Sequence, residues 1–197
     1  MAFPVEPVEV QDASEIYKKE FDGSLDQAAI YADFIFACIG KPCPAIVLTP
    51  ICDIISKSPP YFTIAQIIPI EFVFEKLLFS RKLTEEQMIG KQPISPDELK
   101  YIKKHFIDYY LRNRTYRYHF LPELKGVIKN SFIDFQVVQT FNIAEIENYK
   151  KLTVLRSPWR EAIPSRYAAY CLRIGTPEYT KDSLRTVFDN ISNLKTK

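Results

Sequence analysis

Two short apolar runs, each stopped by a proline, constrain this chain more than any other feature. They are Pro44-Ala45-Ile46-Val47-Leu48-Thr49 before Pro50, and Tyr61-Phe62-Thr63-Ile64-Ala65-Gln66-Ile67-Ile68 before Pro69. Runs of this length, rich in β-branched and aromatic residues and bounded by turn residues, read as buried strands. The loop between them carries Cys52-Asp53, and the two strands make a plausible antiparallel pair. Further along, Tyr116–Leu121 and Ser131–Thr140 alternate as half-buried strands do, and Leu152–Leu155 is a shorter example. The segment Leu25–Cys38 reads both ways. Ser24 with Gln27 resembles a helical capping box, whereas Ile30-Tyr31-Ala32-Asp33-Phe34-Ile35-Phe36 has strand composition.

Helical signals separate and follow these strands. Thr84-Glu85-Glu86-Gln87 opens a short helix. Ser95-Pro96-Asp97-Glu98 supplies an N-cap serine, a proline at the first helical position and acidic residues in the first turn. Leu99, Ile102, Phe106 and Tyr109 or Tyr110 then follow at helical spacing, predicting a helix over about 96–111 inside an inserted helical segment, 81–112. Two helices are expected at the C-terminus, Trp159 to Arg173 and Lys181 to Leu194, within 157–197. Residues 1–24 read as an acidic tail leading into a helical turn. The whole, 1–197, is expected to be one α+β domain: a small curved antiparallel β-barrel with an inserted helical segment and two C-terminal helices.

Hydrophobic residues make up 47% of the chain and charged residues 25%, a globular balance sufficient for a full core. A net charge of +2 is too mild to define a nucleic-acid binder by itself, so any electrostatic function must be local. The start Met1–Pro7 has no basic stretch leading into an apolar run, and no apolar run approaches the ~18 residues of a membrane span. A cytoplasmic location, no membrane and reduced thiols at all four cysteines are the expectations. With five glycines, no phosphate-cradling loop or other cofactor motif is evident, and no cofactor is expected.

Pro44–Ile54, with its strand, Thr49-Pro50 and Cys52-Asp53, resembles a strand-Thr-Pro-x-Cys-Asp signature of uncharacterised bacterial proteins. Ser131–Gln139, Leu152–Leu155 and Trp159–Pro177 are similar to the C-terminal half of the same group. The order of elements also resembles the MazF/PemK family, small SH3-like barrels that cleave RNA. Lys41-Pro42 through Thr49 sits where that family has an Arg-Pro-Ala-Val-Val strand, and Ala65–Pro69 where its next core strand ends. The family's arginine is replaced here by Lys41, and its catalytic threonine position falls near Glu71. The resemblance implies a barrel, and a bacterial nucleic-acid-associated module of toxin–antitoxin or phage-defence type.

Three constellations carry chemistry. Cys52 beside Asp53 places a thiol next to a carboxylate at a strand-to-loop junction, and His119 is the base with which a Cys-based hydrolase would work. The alternative is that Cys52 packs as a small hydrophobe and Asp53 caps a turn. Second, Arg112, Arg114, Tyr116 and Arg117 interleave cations with an aromatic ring, as a contact with RNA or single-stranded DNA requires. Lys100, Lys103 and Lys104 would extend that patch; the alternative is solvated or acid-paired arginines with packed tyrosines. Third, Trp159 after Ser157-Pro158 either anchors a protein partner or seals a helix against the barrel. A non-catalytic interaction subunit that uses the barrel and C-terminal helices is therefore the second functional reading.

Overall fold

The computed structural model describes residues 13–172 apart from 57–59, 82 and 89; the acidic start and the expected helix over 181–194 lie outside them. Six strands, β1 Ala29–Ile35, β2 Pro42–Val47, β3 Tyr61–Pro69, β4 Tyr118–Leu121, β5 Ser131–Asn142 and β6 Lys151–Val154, form one antiparallel sheet. Its order is β4-β5-β3-β2-β1-β6. Helices α1 Ile51–Ser56, α2 Ile70–Ser80, α3 Glu85–Met88, α4 Pro96–His105 and α5 Trp159–Cys171 complete the fold. The architecture is α+β, as expected, and the strands expected at 44–49, 61–69 and 131–139 are found over 42–47, 61–69 and 131–142, side by side in one sheet. The sheet curls into a half-barrel rather than a closed one.

The curl has identifiable causes. Between β3 and β5 the register jumps from Ala65↔Val138 to Gln66↔Asp134, so β5 carries extra residues at the bend. In β1 the register shifts between Tyr31 and Phe34, with Asp33 in the left-handed region at φ 64°. Irregularities of this kind bend a strand and raise its local twist.

Both faces of the curled sheet are covered, which is why its strands read as nearly continuous apolar runs. The inner face gathers Ile30, Ile46, Ala65, Ile67, Ile133 and Phe135 against Ile163 of α5. Outside, Tyr31, Phe34, Val47, Phe62 and Phe141 form a second cluster. At the other end, Ile68, Tyr118 and Phe132 pack beneath Val73 and Leu77 of α2 and Ile102 of α4.

The open seam between β4 and β6 is bridged. Tyr17 pairs with Leu155 just beyond β6, with Lys18 N donating to Val154 O at 2.8 Å and Arg156 N to Ile16 O at 2.8 Å. The Tyr17 hydroxyl then donates to Pro122 O, immediately after β4, at 2.6 Å. Trp159, Tyr167 and Tyr170 of α5 pack against the same inner core. Trp159 thus takes the sealing role.

The open alternative over 25–38 resolves as a strand, β1 over Ala29–Ile35; the Ser24 hydroxyl bonds Asp22, while Gln27 accepts from Ile51 N at 2.8 Å and donates to Arg160 O at 3.0 Å. Two other local expectations are corrected. Cys52-Asp53 lies on α1, not in a loop. The helical block begins at Ile70, eleven residues before the expected 81, because burial of Val73 and Leu77 continues the core directly out of β3.

Candidate nucleic-acid interface

Helix α4 begins as its sequence dictates. Ser95 Oγ accepts from Glu98 N at 3.2 Å, Pro96 follows, Asp97 and Glu98 fill the first turn, and Lys103, Lys104 and His105 the last. Each complements the helix dipole. Ile102 and Phe106 are buried against the sheet. After His105 the helix widens into a π turn, Phe106–Leu111. Asn113 then adopts φ 55° and its side-chain oxygen accepts from Phe120 N, tying the turn to β4.

The face away from the core carries a column of rings. Tyr101 and His105 are stacked with centroids 5.8 Å apart and planes 10° apart; His105 and Tyr109 stack at 4.5 Å and 30°. The Arg81 guanidinium caps the column 4.3 Å from the Tyr101 centroid while bonding Glu98 at 2.9 Å. Residues four apart in an α-helix drift by about 40° around the axis. The wider π turn takes part of that drift back, which keeps Tyr109 in line with Tyr101. Single π turns of this kind recur at functional sites. Tyr101 is 47% exposed and Tyr109 49%, so the column faces solvent.

Tyr101, Lys104, His105, Asp108, Tyr109 and Arg114 line a cleft of about 460 Å³. Asp108 is engaged by Arg112 at 3.4 Å. Neither Lys104 nor Arg114 has an ion-pair partner among the described residues. Lys100 and Lys103 are exposed on the same helix. The cleft therefore combines flat apolar surface with two uncompensated cations.

The sequence-predicted residues separate into two groups. Arg112 and Arg114 adjoin this cleft, and Tyr116 is 58% exposed in the bend before β4. Arg117 turns inward. Its Nε donates to Asp134 Oδ1 at 2.8 Å and a terminal nitrogen to Oδ2 at 2.6 Å, and these bonds raise its pKa. Asp134 is buried at the β5 bulge and also accepts from Gln136 N at 3.1 Å. Arg117 is thus occupied in holding the bend of β5, and three arginines do not share one exposed face. Tyr101 and His105 were missed, although their spacing with Tyr109 (101, 105, 109) is the i, i+4 pattern of one helical face.

Cys52, Asp53 and His119 do not assemble. Cys52 is exposed on α1, its sulfur 3.6 Å from Asp53 Oδ1. Asp53 lines a separate cleft of about 460 Å³ with Thr49, Tyr61 and Tyr167. His119 points to the inner face of β4 and is 7% exposed. Burial, and then the Arg166 charge, push its imidazole down to about 3. Its Nδ1 is buried without a hydrogen-bond partner, and no hydrogen bond joins Cys52 to His119 among the described residues. General-base catalysis needs about 2.6–3.2 Å between the partners. An enclosed neutral imidazole and an exposed thiol do not meet that requirement.

No family model matches the chain, and no curated protein matches it significantly. Among the described residues, no helix is long and apolar enough to cross a membrane.

Proposed function

We propose that this chain binds single-stranded nucleic acid through the outer face of α4 and its π turn. The single observation that carries the reading is the solvent-facing Tyr101–His105–Tyr109 column beside Lys104 and Arg114, which have no ion-pair partner among the described residues. Proteins that bind single strands without sequence preference combine these two elements: aromatic faces for bases and cations for phosphates. Arg114, whose backbone N donates to Tyr109 O at 2.9 Å, is held close to the last ring of the column. Lys100 and Lys103 extend the positive field, whereas Arg112 is engaged in neutralising Asp108. Arg117 has no part in contact with the ligand; it fixes β5.

The test is a titration of labelled single-stranded RNA and DNA across a range of salt concentrations. Replacing Lys104 and Arg114 together with alanine should weaken binding to all sequences alike. It should also flatten the dependence of log affinity on log salt by about 1.4, two phosphate contacts at about 0.7 each. Tyr109→Ala alone should weaken binding by about 1–3 kcal/mol. Identical curves for wild type and the double variant, or no binding at low salt, would remove the reading and favour the interaction-subunit alternative.

A further inference from the structure

At the end of the half-barrel where β2 begins and β3 ends, the structure holds a second cleft, of about 580 Å³. We propose that it is a binding site for a small amphiphilic anion: an unbranched apolar body ending in a carboxylate. Its position is independent of the α4 face, so the two readings stand or fall separately.

The cleft is built from three parts of the chain. Ile39 and Pro44 come from either side of the β2 start, Ile68 and Phe72 from the β3–α2 junction, and Val127 from the connection before β5. This lining is predominantly apolar, the usual character of small-molecule sites, and its volume lies in their usual range of about 300–1,000 Å³. At about 30 Å³ per water-sized group, it has room for about twenty heavy atoms. Phe72 is 46% exposed and Val127 40%, so apolar surface continues to the mouth.

Beside the neutral Gln66 and Ser131, the charged groups are few and of one sign. Lys41 enters from the β1–β2 turn and Lys129 from the connection before β5, and both line the cleft. Neither has an ion-pair partner among the described residues, and no carboxylate contributes to the lining. Two ammonium groups uncompensated beside apolar walls select a ligand with an anionic head and an apolar body. A neutral apolar ligand would leave them unused. A polyanion would gain nothing from the walls. Cys43 also lines the cleft, its thiol donating to Phe34 O at 3.6 Å and its pKa raised by burial. It therefore serves as an internal reporter of occupancy.

The experiment measures binding of hexanoate, octanoate and decanoate, below their micellar concentrations, by calorimetry on the full chain. The matching alcohols are the comparison. Saturable binding should tighten about fourfold per added methylene as apolar area is buried. The carboxylates should bind about tenfold or more tightly than the alcohols. Lys41→Ala with Lys129→Ala should abolish that preference and leave alcohol binding within twofold. Val127→Glu, at an already exposed position, should weaken the carboxylates and spare the alcohols; it keeps the test sound if the double variant folds poorly. In a chain whose other three cysteines, Cys38, Cys52 and Cys171, are replaced by serine, saturating decanoate should slow alkylation of Cys43 at least fivefold. Absence of saturable decanoate binding, equal affinity for acid and alcohol, or unchanged Cys43 alkylation would each overturn the proposal.

Discussion

Lowering the pH from 7 to 5 should destabilise this protein through one buried group, His119. In the unfolded chain its imidazole titrates at 6.5, whereas burial on the inner face of β4 beside Arg166 holds it near 3. A histidine depressed in this way contributes nothing to the pH dependence above about 6.5. Below that point the unfolded chain binds a proton the native state refuses, and stability is lost as the pH falls toward 3. The slope for one proton is about 1.4 kcal/mol per pH unit. Only the interval from 6.5 to 5 counts here, so the loss by pH 5 is about 2 kcal/mol. That is a large share of a domain stability of about 5–15 kcal/mol. Urea unfolding followed by fluorescence at pH 7, 6 and 5, for wild type and His119→Gln, isolates it. Carboxylates remain largely ionised over this range and are common to both proteins. The wild type should lose about 2 kcal/mol more than the variant between pH 7 and 5. Parallel pH profiles would show that His119 is protonated in the native state, and the enclosed-imidazole account would be wrong.

Arg117→Ala should lower stability by about 3–5 kcal/mol, because it leaves the Asp134 carboxylate buried and unpaired; adding Asp134→Leu should restore much of the loss, as chemical denaturation would show. Tyr17→Phe removes the hydroxyl that closes the seam onto Pro122 and should cost about 1 kcal/mol, with a matching fall in Tm. Ser95→Ala deletes the α4 N-cap; a loss of about 1 kcal/mol and faster hydrogen exchange at Glu98 N are expected, and unchanged exchange there would contradict the cap.

How much of this was legible depends on whether the deciding partner was local. The strand β3 was readable because both its faces are largely buried, so its run is apolar apart from Thr63 and Gln66. The start of α4 was readable because its cap, proline and acidic turn lie within four consecutive residues, Ser95 to Glu98. The helix α2 was hidden: Ile67-Ile68-Pro69-Ile70 passes from strand to helix with no polar boundary, although Val73 and Leu77 keep the i, i+4 spacing. The inward turn of Arg117 depends on Asp134, 17 residues on. The register jump that brings Asp134 there is concealed by the regular alternation of 131–140. His119 shares a face with Leu121 in the alternation of 116–121, so the signal for its burial lay in the pattern, although it was expected to act as a base. Its isolation from Cys52 required the strand order, which puts β5 and β3 between β4 and β2.

The bridged seam has a consequence for how the chain is made. In synthesis order β1, β2 and β3 emerge first and pair as a meander. The outer edge of β1 waits for β6, and that of β3 for β5. Until those late strands arrive, the nascent meander shows two rows of unpaired backbone N–H and C=O groups, which are templates for strands of other chains. The hydrogen bond that finally closes the half-barrel joins residues 105 apart in sequence. Non-local closure of this sort is slow. The interval between translation of β3 and translation of β6 is therefore when this protein is most exposed to aggregation, and a holding chaperone acting on the ribosome would protect it most by covering the β1 edge.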